Sequence, residues 1–378
     1  MTAEARRAVP SSDPASSPLP ATRPPSDPLG VRARNRVAAA WLLALAALLA
    51  GSALVATVVG AVAVPPAEVL AIVAHHVLAR PAEAATWSWT NDTIIWDVRL
   101  PRVLLGVAVG AGLAVCGAAL QAMVRNLLAD PYILGINSGA SCGAAAAILF
   151  GLGAGFGEYA LQGSAFVGAL GASLVVFLVA RTAGRVTSVR LLLAGVAVGY
   201  ALYAATSFLI FASGSAEGAR SVMFWLLGSL GLAEWNGPLA VVMIVVAATV
   251  ALLTLLGPRL DGLAIGDETA QALGVNPDRL RTGLLIGVSL CVGVVVAASG
   301  SIGFVGLVVP HLARRILGAR HSIVIPASAL MGAILLVWAD LVARTLLAPQ
   351  EIPIGIITAL VGAPFLLVLV RRFHATVS

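Results

Sequence analysis

The sequence predicts an all-α, polytopic membrane protein of about ten transmembrane helices with both termini in the cytoplasm, and three observations predict it. Of the 378 residues 60% are hydrophobic and 11% are charged, with a mean hydropathy of +0.99. A soluble domain is roughly half apolar and about one quarter charged, so a soluble globule is excluded. The apolar runs are continuous rather than alternating, which excludes a membrane barrel. A hydrocarbon core of roughly 30 Å takes about 20 residues per helix, and the chain holds enough such runs for ten spans.

Residues 1–36 hold seven prolines, five serines and six arginines. They lack the apolar surface to offset ordering entropy, so they are expected to form a disordered cytoplasmic tail that is dispensable for function. The next run is too long for a signal peptide and has no cleavage site. Residues 37–378 form the membrane domain, with spans expected at 37–64, 103–124, 132–152, 161–180, 191–212, 238–256, 282–298, 302–317, 323–347 and 354–370. The stretch 222–232 is apolar but too short to cross, and suits an interfacial or re-entrant helix. An even span count puts both termini on one side. With the termini inside, the inner loops and ends beyond the tail carry twelve arginines and the outer side five, namely Arg80, Arg99, Arg102, Arg220 and Arg344. The positive-inside rule therefore places the termini in the cytoplasm. Glycines inside spans, among them Gly106, Gly110, Gly112, Gly117, Gly195 and Gly199, suit close helix packing.

All 23 basic residues are arginine. Without lysine there is no phosphate-binding Gly-x-x-x-x-Gly-Lys loop, Schiff base or lysine general base, so no ATPase site is expected on this chain. The arginines are scattered between apolar runs rather than clustered, which speaks against nucleic acid. Cys116, Cys142 and Cys291 lie in apolar stretches without metal-ligand spacing, and no metal site is expected. His75 and His76 in the first outer loop have no partner spacing, and His311 suits a packed or bonded histidine.

The longest inner polar interruption is 256–281, in which two helices are expected. Asp267 can cap the first, which ends at Gly274, a good left-handed residue. Asn276 caps the second, with Pro277 in its first position. A rigid element of this kind suits docking to a soluble partner, although a solvated connector has the same pattern. Within the spans, Asp340 and Arg344 stand at i, i+4 and can pair on one helix face, as a structural neutralisation or, on the sharper reading, as part of a substrate path.

The stretch RLPRVLLGVAVGAGLAVCGAALQAMVRNLLADPYILGINSGAS at 99–141 resembles the permeases of ABC importers for ferric siderophores, haem and cobalamin. So do LLLAGVAVG (191–199), GDETAQALGV (266–275), GSIGFVGLVVPH (300–311) and EIPIGIITALVGAP (351–364), which follow in the family's order. The resemblance implies a homodimer in the bacterial cytoplasmic membrane with a translocation path along the subunit interface. It further implies two separate ATPase subunits that carry the ATP and magnesium, an extracytoplasmic substrate-binding protein, and no cofactor on this chain. By similarity Gly266, Asp267, Glu268, Thr269, Ala270, Leu273, Gly274 and Val275 form the ATPase-coupling element. Asn126 and Leu128 match the family's cytoplasmic gate, and Thr187 and Ser188 a second gate layer. Leu127 stands where the family has proline, and Ser301 where proline is frequent. An iron chelate, siderophore or haem, is the expected cargo, with cobalamin as the alternative. An ion-coupled carrier is disfavoured because no chain of intramembrane acids suggests a proton relay. An intramembrane enzyme is disfavoured because no span holds a nucleophile–base pair or paired acids.

Overall fold

The structure, a computed structural model, describes residues 31–60, 62–78, 87–182 and 185–375. The expected tail lies outside the described residues up to position 30, and its last six residues instead open the first helix, α1 (Val31–Val58). Next come α2 (Pro66–Leu78) and α3 (Trp89–Thr93), which runs through a π-helical turn, Ile94–Arg99, into α4 (Leu100–Val124). A 3-10 turn, Pro131–Leu134, leads to α5 (Ile136–Phe150), and then follow α6 (Ala160–Ala180), α7 (Ser188–Ser213) and α8 (Ala216–Leu226). The last third holds α9 (Gly237–Leu255), α10 (Gly257–Ile265), α11 (Asp267–Ala272), α12 (Pro277–Ser299), α13 (Val305–Leu317), α14 (His321–Thr345) and α15 (Ile354–Ala375). The only strands among the described residues are a two-residue antiparallel pair between α6 and α7, with Arg181 opposite Val186.

Each expected span falls on a helix, and among the described residues seven helices are long and apolar enough to cross a membrane. The other three, α5, α13 and the apolar part of α15, are shorter than a full crossing. α13 begins at Val305, not at 302, because residues 300–304 are an irregular stretch buried in protein. Ser229 N donates to Ser299 O at 2.8 Å, and the Tyr132 hydroxyl accepts from Ile302 N and lies 2.9 Å from Ile302 O. Non-helical backbone is tolerated at membrane depth only where protein satisfies it in this way. Of the apolar stretch 222–232 only residues 222–226 are helical, as the end of α8, an eleven-residue helix on the outer side, and 227–232 form the turn that follows.

α4 is the axis of the bundle. Its most apolar window is 89% buried, against 11% for α1 and 17% for α7. Glycine permits this. A β-carbon on Gly110 would lie 2.2 Å from the Gly332 carbonyl oxygen of α14, and one on Gly117 would lie 1.9 Å from that of Gly306 in α13. Without a hydrophobic force between helices in lipid, such backbone approach supplies the packing. The free thiols Cys116 and Cys291 fill buried space between α4 and α12.

One end of the bundle gathers the start of α1, the end of α4, α10 and α11, and the starts of α12 and α14. Arg320 donates to Asn35 at 3.3 Å, Asp261 on α10 accepts from His321 N at 2.9 Å, and Arg125 pairs with Asp267 at 3.6 Å. This is the arginine-rich end, and the positive-inside rule makes it cytoplasmic.

Candidate functional site

At the cytoplasmic end, α10 and α11 form a platform packed on the bundle through the buried Leu260 and Leu263. α10 has no counterpart in the sequence expectation, which placed only one short helix before Asn276. α11 begins at Asp267, with Gly266 in the cap position and no side-chain capping bond there. Asp267 is therefore not the cap. Its carboxylate is taken by the buried Arg281 of α12, at 3.0 and 2.6 Å, and by Arg125 at 3.6 Å. Two arginine forks bind a carboxylate more strongly than the backbone N–H of a helix start. Gly274 has φ +76° and ends the platform as expected, and Asn276 Oδ1 accepts from Arg279 N at 3.0 Å to cap α12. α12 then runs unbroken into the span, so the second short helix and the seventh span are one element.

The platform is anchored on three sides: to α12 and α4 through Asp267, and to α14 through Asp261 with His321 Nδ1 at 2.6 Å. Ala270 faces inward and is buried, while Glu268, Leu273 and also Ile265 face outward. Ile265 and Leu273, 73% and 64% exposed, give the cytoplasmic face an apolar ridge that the expected coupling residues only half described. Thr269 is half-buried and Val275 lies in the turn that follows α11.

Arg125, at φ 54°, ends α4 and opens the expected gate loop. Asn126 accepts from Leu128 N through its side chain at 2.9 Å and from Ala129 N through its carbonyl at 3.1 Å. Leu127 thus occupies the second position of a four-residue turn, where proline fits best. The Asn126 side chain holds the turn without proline, so the departure from the family pattern leaves the loop closed. Leu127 and Leu128 are both exposed at 40% and 38%. Asp130 accepts from Tyr132 N at 2.9 Å, and burial pushes its carboxyl pKa up to about 6. Thr187 is exposed at the cap position of α7 with Ser188 first in that helix. α7 meets the 3-10 turn that follows this loop at Gly195, where a β-carbon would sit 1.8 Å from the Ile133 carbonyl oxygen.

At the outer end, the expected Asp340–Arg344 pair is present but weak, at 3.6 Å. The closer partner of Asp340 is Arg102 of α4, whose Nε lies 2.9 and 3.1 Å from the two carboxylate oxygens. Arg102 also donates to Glu351 at 2.9 Å, and Arg344 turns to the Ala56 carbonyl. Arg99 donates to the carbonyls of Thr57 and Val58 at 3.0 and 2.8 Å and closes the end of α1. Three of the five outer arginines are therefore buried parts of the bundle rather than loop charges. The RLPR spacing places Arg99 and Arg102 about one turn apart, which was the available signal. Arg102, Asp340 and Glu351 line one wall of a cavity of about 1010 Å³, with Glu217 and Arg220 of α8 on the other. In the first outer loop, His76 pairs with Asp92 at 3.0 Å and stacks on Trp96 at 4.2 Å. No cluster that could hold a metal ion occurs among the described residues.

An all-helical bundle around one buried helix, with seven helices among the described residues long and apolar enough to cross a bilayer, defines a multi-pass membrane protein. The chain belongs to the FecCD transport family, which it matches over residues 44–372. It is 44% identical over 282 residues to the cobalamin import system permease protein BtuC of Halobacterium salinarum, covering 75% of this chain and 74% of that one. It is 43% identical over 288 residues to the hemin transport system permease protein HmuU of Yersinia pestis, covering 75% and 85%. The Fe(3+)-citrate import system permease protein YfmD of Bacillus subtilis is 40% identical over 287 residues, covering 76% and 84%. A metal-chelate type ABC transporter solved in an inward-facing conformation matches with a TM-score of 0.75 and 34% identity, over 88% of this chain and 98% of that one.

Proposed function

We propose that this protein is the permease subunit of an ATP-binding-cassette importer that carries an iron chelate, ferric siderophore or haem, across the cytoplasmic membrane. The observation that carries the proposal is the family match over nearly all of the membrane domain. Cobalamin is the second reading, favoured by the 44% identity to a cobalamin permease. The chain contains no lysine and so no lysine for a phosphate-binding loop of its own, which supports power supplied by separate ATPase subunits. The exposed Ile265, Glu268 and Leu273 on a platform braced by Arg281, Arg125 and His321 support docking of those subunits there. A soft element would absorb the push of ATP binding, whereas a braced one passes it to α4 and α12.

The uncovered face of α7 supports a homodimer with the path along its interface. Tyr200, Tyr203, Phe208 and Phe211 are between 66% and 85% exposed, and the helix has the lowest hydropathy, 1.7, of the seven long spans. Asn126, Leu128, Thr187 and Ser188 then stand at the cytoplasmic mouth of that path. Substrate arrives from an extracytoplasmic binding protein above the outer cavity.

The test is uptake in proteoliposomes holding the permease, its ATPase and its binding protein, supplied with ferric chelate, haem or cobalamin. ATP-dependent accumulation of an iron chelate or haem is expected, abolished by vanadate. Uptake that persists without the ATPase and is stopped by an ionophore would assign the chain to ion-coupled carriers instead.

A further inference from the structure

The cytoplasmic half of the seam between α9 and α12 holds a groove of about 790 Å³. Gly283 and Gly287, one turn apart on α12, lie along its floor, and a β-carbon on either would meet nothing within 4 Å. Glycine within a helix costs stability relative to alanine. At Gly110 and Gly117 a neighbouring backbone offsets that cost, whereas here no atom of the described residues fills the notch. Arg259 and Arg279 stand at the cytoplasmic mouth, and among the described residues no carboxylate lines the groove. Their guanidiniums have no ion-pair partner among the described residues, in contrast to Arg125 and Arg281, which hold Asp267. From Arg279 to Val288 the helix rises about 13 Å at 1.5 Å per residue, near half of a hydrocarbon core of roughly 30 Å.

The groove is thus one leaflet deep, apolar in its body and doubly cationic at its inner mouth. We infer that it binds a phospholipid of the cytoplasmic leaflet with an anionic headgroup, the phosphate between Arg259 and Arg279 and an acyl chain along Gly283 and Gly287. A soluble protein cannot enter its body below the interface. A second copy of this chain fits poorly, because a two-fold contact of this face would gather four guanidiniums. The groove mouth also includes Leu273 and Gly274, so the lipid would touch the platform turn, but the inference stands whether or not that turn couples to an ATPase.

The full-length protein, reconstituted in nanodiscs of phosphatidylcholine with a minor share of phosphatidylglycerol, is released and weighed by native mass spectrometry. Wild-type protein is expected to retain phosphatidylglycerol over phosphatidylcholine. The Arg259→Gln/Arg279→Gln variant should lose roughly thirtyfold of that preference, the worth of two basic side chains at an anionic surface. Gly283→Leu, which fills the floor and leaves both arginines, should lower retention of both lipids. The pair Arg190→Gln/Arg371→Gln, on exposed cytoplasmic arginines elsewhere, should keep the wild-type preference. Unchanged retention in both groove variants, or an equal loss in the control pair, overturns the site. Displacement by soluble glycerol phosphate with the acyl chains retained nowhere, or a Gly287→Cys cross-link between two copies, overturns the assignment to lipid.

Discussion

Removing the Arg102 guanidinium would leave the Asp340 carboxylate, 3% exposed, with only Arg344 at 3.6 Å to offset its charge. Breaking a buried pair from one side costs about 3 to 5 kcal/mol, because the orphaned ion stays out of water. Arg102→Met is therefore expected to lower the melting temperature in detergent far more than Asp340→Asn, and Arg102→Met/Asp340→Leu should recover much of the loss. Asp130 makes a second prediction through pH. Its carboxyl is raised to about 6, so the folded protein binds more protons than the unfolded chain between about pH 4 and 6. That contribution to stability is present at the acid end and is lost as pH rises through 6. Asp130→Asn should flatten this part of the stability profile, measured by thermal melting across that range. The i, i+4 spacing made Asp340–Arg344 legible in the sequence. Arg102, 238 positions earlier, was not, because a cross-helix partner depends on helix rotation and depth.

At the scale of elements, the ends of helices were legible where local chemistry sets them and illegible where tertiary charge does. Asn276 and Gly274 act as read, through a cap bond and a left-handed φ. Asp267 does not, since two arginines from other helices claim it. The short crossing of α13 was legible in an apolar run of only sixteen residues, 302–317, whereas that of α5 was hidden, because hydropathy cannot see that a 3-10 turn at Pro131–Leu134 replaces α-helix there. Gly274→Val forces a β-branched residue to φ +76°, at a cost of about 1 to 2 kcal/mol, with open space around it and so no steric clash. Uptake and ATPase copurification should fall together while the protein still inserts. Gly274→Asn, which tolerates that φ, should be mild. Normal uptake by the valine variant would return the platform to a solvated connector. Asp267→Asn loosens the brace without touching the outward ridge, so it should reduce uptake more than it reduces copurification.

For the whole molecule, the fold class, the span order and the orientation follow from composition, run length and arginine bias, whereas the burial order of the spans does not. The seven long spans have hydropathies between 1.7 and 2.6, yet the most apolar window of α4 is 89% buried and that of α7 17%. The distinction lies in the several glycines by which α4 meets neighbouring backbone and in the largely exposed aromatic side chains along α7. A homodimer over α7 predicts that Tyr203→Cys copies cross-link under mild oxidation, while a cysteine at Leu43 on the exposed face of α1 does not. The enclosure of α4 also sets a schedule for biogenesis. The helix is synthesised second among the spans, but Asp340, the partner of its Arg102, leaves the ribosome 238 residues later. At about 5 to 20 residues per second, the nascent chain must hold that arginine at the outer headgroups for roughly 10 to 50 seconds. A stalled chain that ends before α14 exposes an unmated guanidinium and a row of glycine notches to lipid, and so presents quality-control proteases with a target that the finished protein conceals.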